Sequence, residues 1–408
     1  MQEIWTKIAF WLACGSAVII LFSIAASQIL LGGAILAILL SRQRIRMPRV
    51  WLPLALFLLG TVISLLASGH ILAGMPQVRK LYVYTMLIVV FTVIRSVGEA
   101  RNLMLAWCGA AGVTSLIGIA QFIEKWREAR ALHRDFYGYY LDSRITGAMS
   151  HWMTFSGQEM LVFIILIAFL LFGRLKDRRL LAGMCIAAIA MGAALLLTDT
   201  RSVWIAAFVA LLYLTWSRKK VLALAIPVLA LLALAAGPSW LRERADSIVH
   251  PQAGVDSNGF RFVVWRTGWE MIKAHPMLGL GPEQVHQQFY AWLPADIPRP
   301  LPPGYYGHLH SIYVHYAAER GVPATLMLVW MLGMILYDCA RGLRRIPRGI
   351  REDTRFLLHA TIACVLAIAV EGFAELNLGD SEVLTMFLVI TACGYVAVED
   401  SGHVAARA

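Results

Sequence analysis

Long apolar runs recur along almost the whole chain, separated by short polar or basic segments. A helix needs about 20 mostly apolar residues to cross the hydrocarbon core of a bilayer. Twelve runs approach that length, near residues 8–23, 24–40, 51–67, 81–95, 103–120, 157–173, 181–197, 202–216, 221–236, 321–339, 356–373 and 382–398. The first two share one continuous stretch, and several are short enough that their ends must extend into neighbouring segments. The pattern predicts an all-α integral membrane protein of about 12 transmembrane helices. The first run lacks a small-residue cleavage site and reads as a retained anchor, not a signal peptide.

Two segments interrupt the runs. Residues 1–236 hold helices 1–9 with a smaller polar loop at 121–156; residues 237–309 form a long loop; residues 310–408 hold helices 10–12 and a short tail. Within the long loop, Phe262, Trp265, Trp269 and Ile272 fall at helical spacing, so 261–274 reads as an amphipathic helix. Pro276 and the turn Gly279-Leu280-Gly281-Pro282 stop it. A Pro-rich stretch from Pro294 to Pro303 then leads into Gly304-Tyr305-Tyr306-Gly307-His308-Leu309-His310-Ser311.

Composition agrees with the hydropathy: 59% of the 408 residues are hydrophobic, 15% are charged, and the mean hydropathy is +0.67. Soluble domains carry roughly 45–50% apolar and 25% charged residues. Disorder, collagen-like fibres and disulfide scaffolds are excluded. All 6 cysteines lie in apolar runs and read as small core residues. The net charge of +11 is mostly a topology signal. One set of alternate loops holds 19 Lys/Arg in 45 residues, the other 14 in 134. By the positive-inside rule the first set is cytoplasmic, which places both termini inside and the loops 121–156 and 237–309 outside. No single basic face forms, so nucleic acid is not expected as a partner.

Charges beside apolar runs are costly and so mark function. Arg201, in Thr198-Asp199-Thr200-Arg201-Ser202, has almost no loop around it, and Arg144 stands just before the sixth run. Arg261 and Arg266 are five positions apart on the loop helix, so at most one need face a site. Arg79 and Lys80 open the fourth run. Guanidinium groups converging on one leaflet make a phosphate site through a bidentate fork that stays charged. His308, His310 and His315 are the dense histidine cluster; they lack zinc-ligand spacing, and no external Asp-x-Asp could clamp a divalent metal, so neither metal nor cofactor is expected. General acid–base work suits histidine.

Taken in order, Thr198-x-Thr200-Arg201-Ser202, Arg261-x-x-x-Trp265, His275-Pro276-x-x-Gly279-x-Gly281, His308-x-His310-Ser311-x-Tyr313 and Glu319-x-Gly321 resemble the O-antigen ligase family. The resemblance implies a GT-C type glycosyltransferase of the bacterial inner membrane, with no metal or cofactor and with inversion at the transferred sugar. It would move O-antigen polysaccharide from undecaprenyl pyrophosphate to a lipid A-core sugar hydroxyl on the periplasmic face, its partners being these two lipid-linked glycans and membrane lipids. The resemblance assigns His310 as catalytic base and Arg201, Arg261 and Arg144 to the donor pyrophosphate; Arg266 joins that set by its place on the loop helix, and Arg79, Lys80, His308, Ser311 and Tyr313 are candidates for support. Ser311 stands where the family commonly has Asn. An O-antigen polymerase shares this topology, and a polytopic transporter or lipid flippase is the reading outside enzymes.

Overall fold

The computed structural model describes residues 1–174, 177–246, 257–346 and 352–405. Among them no strand occurs, and the chain runs through α1 (Gln2–Ile19), α2 (Ile24–Ser41), α3 (Trp51–Ala67), α4 (Ile71–Val93), α5 (Val97–Ala131), α6 (Phe136–Asp142), α7 (Trp152–Phe172), α8 (Arg178–Leu197) and α9 (Arg201–Arg218). It continues as α10 (Lys220–Ala223), α11 (Ala225–Ala236), α12 (Ser239–Asp246), α13 (Ser257–Ala274), α14 (Gln284–Gln288), α15 (Ile312–Arg345), α16 (Glu352–Glu371) and α17 (Ser381–Ala405).

Every apolar run of the sequence falls on helix. Seven helices, α2, α5, α7, α8, α15, α16 and α17, are long and apolar enough to cross a membrane among the described residues. The remaining runs are shorter or more polar: α3 has 17 residues, and α4 carries Arg79, Lys80 and Pro76. The chain is a multi-pass membrane protein. The continuous first stretch divides at Ser23, whose hydroxyl caps α2 by accepting from Ala26 N. The hairpin of α1 and α2 closes on reciprocal bonds, Ser16 Oγ to Ser27 O at 2.7 Å and Ser27 Oγ to Ser16 O at 2.8 Å.

Helices α7, α16 and α17 are the most enclosed and form the centre of one continuous apolar core, against which α4, α9 and α15 pack. Two smaller cores sit at one end. Tyr140, Ile145, Phe155 and Ala194 anchor the segment after α5, and residues from α13 to Leu309 close over the start of α15.

Three details differ from the sequence expectation. Helix α5 continues to Ala131, so the first turns of the segment 121–156 are helical; Gln121, Lys125 and Glu128 place polar groups on that extension without breaking its backbone. Helix α13 does form, but its packed face is Phe260, Val263, Val264, Thr267 and Met271, while Phe262, Trp265 and Trp269 point outward. Gly268 fits this choice of face: a Cβ there would stand 2.6 Å from Leu309 Cδ1 and 2.7 Å from Val314 Cγ1, so both side chains would have to shift to admit one.

The third concerns α15, which is broken at Gly321 (φ 83°, ψ 162°). Pro323 has no N–H, so the carbonyl of Glu319 would lack its helical donor in an unbroken helix. The loop after α13 fills the gap. Leu280 N donates to Ala318 O at 2.8 Å, Gly281 N to Glu319 O at 2.9 Å, and Val322 N to Pro276 O at 2.8 Å. Backbone lies on backbone here: a Cβ on Gly279 would meet Glu319 C at 2.3 Å, and one on Gly321 would meet Met277 O at 2.1 Å. The His-Pro-x-x-Gly-x-Gly and Glu-x-Gly elements are thus two halves of one clasp.

Candidate active site

At the end of the bundle where these smaller cores sit, a cavity of about 700 Å³ is lined by Lys80, Arg144, Arg201, Arg244 and Arg261, by His151, His308, His310 and His315, and by Glu283, Glu319, Glu371, Glu375 and Asp380.

Its cationic wall begins at α9. Thr200 is the N-cap and Arg201 the first helical residue, so the positive end of the helix dipole and a buried guanidinium lie together, an arrangement suited to an anion. Asp199, in a left-handed conformation (φ 54°), turns its carboxylate towards two further arginines. Arg244 Nε lies 3.2 Å from Asp199 Oδ1 and also donates to the Asp199 carbonyl; Arg144 Nε lies 4.0 Å from Oδ2. Arg144 is held by a turn that Gln121 fastens: its Oε1 accepts from Thr146 N and Gly147 N, and its Nε2 donates to Gly147 O. The Arg144 guanidinium lies 5.0 Å from the Trp152 ring centre. Burial, and then the like charge of Arg244, pull its pKa down to about 10, against the pull of Asp199.

Arg261, one turn into α13, donates from Nε to Ala374 O and pairs with Oε1 of Glu375. The other oxygen of Glu375 stands 3.3 Å from His310 Nδ1. His310 Nε2 is 3.3 Å from the Tyr305 carbonyl, and the ring meets Phe260 edge-on. The residues around the histidine cluster predict a helix beginning near Leu309, with His310 in its first turn; α15 begins instead at Ile312, so His310 precedes it in a left-handed conformation (φ 45°). Ser311 is the N-cap: its Oγ accepts from Val314 N and donates to Gly372 O. That bond ties the histidine loop to the segment that carries Glu375.

The His308 ring lies 4.0 Å from that of His310, and its Nδ1 accepts from His310 N. Burial, then the neighbouring imidazoles, hold His308 far below the ordinary histidine range. His151 caps α7 and stacks on Trp152; burial lowers its pKa too. Burial raises that of Asp380, which accepts from Thr154 Oγ1 at 3.0 Å. Helical geometry on a helix from Leu309 points His315 away from this group; with the helix starting at Ile312, His315 lines the same cavity, its ring 6.4 Å from His308.

The structure therefore gathers Arg144, Arg201, Arg261, Lys80, His308 and His310 on one cavity. It places Arg266 on the outer face of α13, paired with Asp296 at 2.7 Å, and leaves Arg79 exposed off the cavity. Tyr313 donates to Ala369 O and braces α15 on α16. Lys80 donates to Gly379 O at 2.9 Å. Sequence reasoning missed Arg244 and Glu375. Glu375 had a signal, a charge in the short segment between two apolar runs that it shares with Asp380, the same cue that marks Arg201; Arg244, in a polar helix with Arg242 and Glu243, had none. Among the described residues no group of three or more His, Cys, Asp or Glu is arranged to hold a metal ion.

Residues 186–329 match the family model described as O-antigen ligase, which supports a place for the chain in the O-antigen ligase superfamily. The matched stretch holds Arg201, Arg244, Arg261 and the histidine cluster, and leaves out Arg144 and Glu375. No curated protein matches the chain.

Proposed function

We propose that this protein, with its O-antigen ligase family domain, transfers O-antigen polysaccharide from undecaprenyl pyrophosphate to a sugar hydroxyl of lipid A-core. The observation that carries the reading is the meeting of Arg144, Arg201, Arg244 and Arg261 with His310 on one cavity at one end of an apolar helix bundle. A lipid pyrophosphate brings two anionic groups to the bilayer surface while its chain stays in lipid, and a wall of permanently charged guanidinium groups suits it.

In the proposed step the acceptor oxygen attacks the anomeric carbon of the donor's reducing-end sugar from the face opposite the pyrophosphate. The bond from that carbon to the phosphate oxygen breaks, and the electron pair leaves with the pyrophosphate, whose growing charge the arginines stabilise. The acceptor proton passes to His310. The Tyr305 carbonyl can only accept from Nε2–H, so that contact opens before the step: with Nδ1–H donating to Glu375 the lone pair lies on Nε2, and the acceptor hydroxyl takes the carbonyl's place beside that nitrogen.

The bias of Lys and Arg between the two loop sets supports a cavity facing the periplasm, and the same proposal takes the chain as an inner-membrane protein of twelve crossings with a GT-C arrangement. Labelling of Gln287→Cys by an impermeant thiol reagent in cells with a permeabilised outer membrane supports that orientation; labelling only after the inner membrane is opened reverses it. Lipopolysaccharide from a deletion strain tests the activity. Loss of the long ladder with accumulation of lipid-linked polymer fits ligation, a single-repeat band fits polymerase failure, and an unchanged ladder rejects both.

A further inference from the structure

The cavity has a second polar wall that the transfer step leaves unused. Contacts run from Arg144 to Trp152 and His151, and from Arg261 through Glu375 to His310, His308 and then His315. Beyond His308 the chemistry changes. His315 Nε2 lies 3.4 Å from Glu319 Oε2, one turn further along α15, and Gln77 of α4 donates from Nε2 to Glu283. All four side chains line the cavity.

His315 and Glu319 are 5% and 1% exposed, yet His315 Nδ1 has no hydrogen-bond partner and Glu319 Oε2 meets only His315 Nε2, at 3.4 Å. A buried polar atom left unpaired is expensive, and a ligand that pairs it removes the cost. The nearby guanidinium does not turn this wall into an anion site: Arg320 lies over the rings of Phe57 and Tyr316, 4.9 and 4.2 Å from their centres, and donates to Gln77 Oε1. The two carboxylates accept, while the amide and the imidazole can each donate as well as accept. Neighbouring hydroxyls of a sugar do the same, whereas a phosphate offers acceptors only.

We infer that Gln77, Glu283, His315 and Glu319 form the subsite for the acceptor's terminal sugar, and that it takes a neutral, hydroxyl-bearing ring. The inference rests on the donor reading above, with the arginine wall holding the pyrophosphate. A ring held here sits beside His308 and His310, where its reacting hydroxyl must lie, and the clasp at Gly279 and Gly321 sets the wall by fixing the Glu319 backbone against Gly281.

The test uses the full-length protein in lipid nanodiscs, with an undecaprenyl-pyrophosphate oligosaccharide as donor and purified lipid A-core as acceptor. Donor binding and the acceptor KM are measured separately. Glu283→Gln, Gln77→Ala and His315→Ala should each raise the acceptor KM tenfold or more, with donor Kd moved less than threefold and turnover recovered at saturating acceptor. Gln77 and Glu283 lie on different elements from His315, so a folding failure of one variant leaves the others to decide. An unchanged acceptor KM, or a weakened donor Kd, overturns the assignment. Loss of turnover at saturating acceptor in His315→Ala also overturns it, since that residue would then act on the proton. Absence of donor binding by the unmodified protein rejects the donor reading itself.

Discussion

The carboxylate of Glu375 stands 3.3 Å from Nδ1 of His310, and its second oxygen meets Arg261, so one side chain orients the proposed base and braces one of the cations facing the donor. Both partners depend on its charge. Glu375→Gln keeps the shape and removes the charge; turnover should fall on the order of 10²-fold or more, as for groups that orient a catalytic imidazole. Glu375→Asp should recover part of the loss. Wild-type turnover by the Gln variant at saturating donor and acceptor would remove Glu375 from the mechanism.

Removing a charge-assisted contact to the leaving pyrophosphate costs roughly 3–4 kcal/mol of transition-state stabilisation, by analogy with lost oxyanion donors. Arg201→Ala and Arg261→Ala should each lose about 10²–10³ in turnover, and lysine should rescue poorly where the fork is used. Arg266, paired with Asp296 away from the cavity, should tolerate Ala with less than about a twofold change. Rate measurements on matched amounts of folded protein separate the two groups; equal losses at Arg201 and Arg266 count against the site as drawn.

Gly321→Ala puts a Cβ 2.1 Å from the carbonyl of Met277 at a φ of 83°, and Gly279→Ala puts one 2.3 Å from Glu319 C. Backbone cannot yield as a flexible side chain does. Each substitution should destabilise by more than about 2 kcal/mol, read as a lower unfolding temperature in detergent. Gly183→Ala, on α8 with open space around it, is the control and should change little.

His308 is held neutral in the folded protein by burial and its imidazole neighbours, while in the unfolded chain it titrates near 6.5. Below about pH 6.5 the unfolded chain therefore binds the extra proton, and stability is lost as the pH falls. Thermal unfolding followed from pH 7.5 to 5 should show a shallower acid loss for His308→Asn than for the unmodified protein. A steeper loss in the variant would mean that the folded state binds the proton at this site.

Hydropathy by itself marked the apolar helices of this protein. A membrane crossing is a local demand for about 20 apolar residues, and each run can be read without knowing its neighbours. The same local logic marked Arg201, because a charge beside an apolar run is conspicuous in the sequence, while His310 stood out through the histidine cluster and the family resemblance. Tertiary structure decided the rest. Arg144, Arg244 and Asp199 come from three separate segments, and Glu375 reaches Arg261 and His310 from the turn between α16 and α17. Spacing carries no information about such meetings, which depend on how whole helices pack. The face of α13 was open for the same reason: Phe262-Trp265-Trp269 and Phe260-Val263-Val264-Met271 both recur at helical period, so periodicity offers two faces, and the close approach of Leu309 and Val314 to Gly268 fits the second.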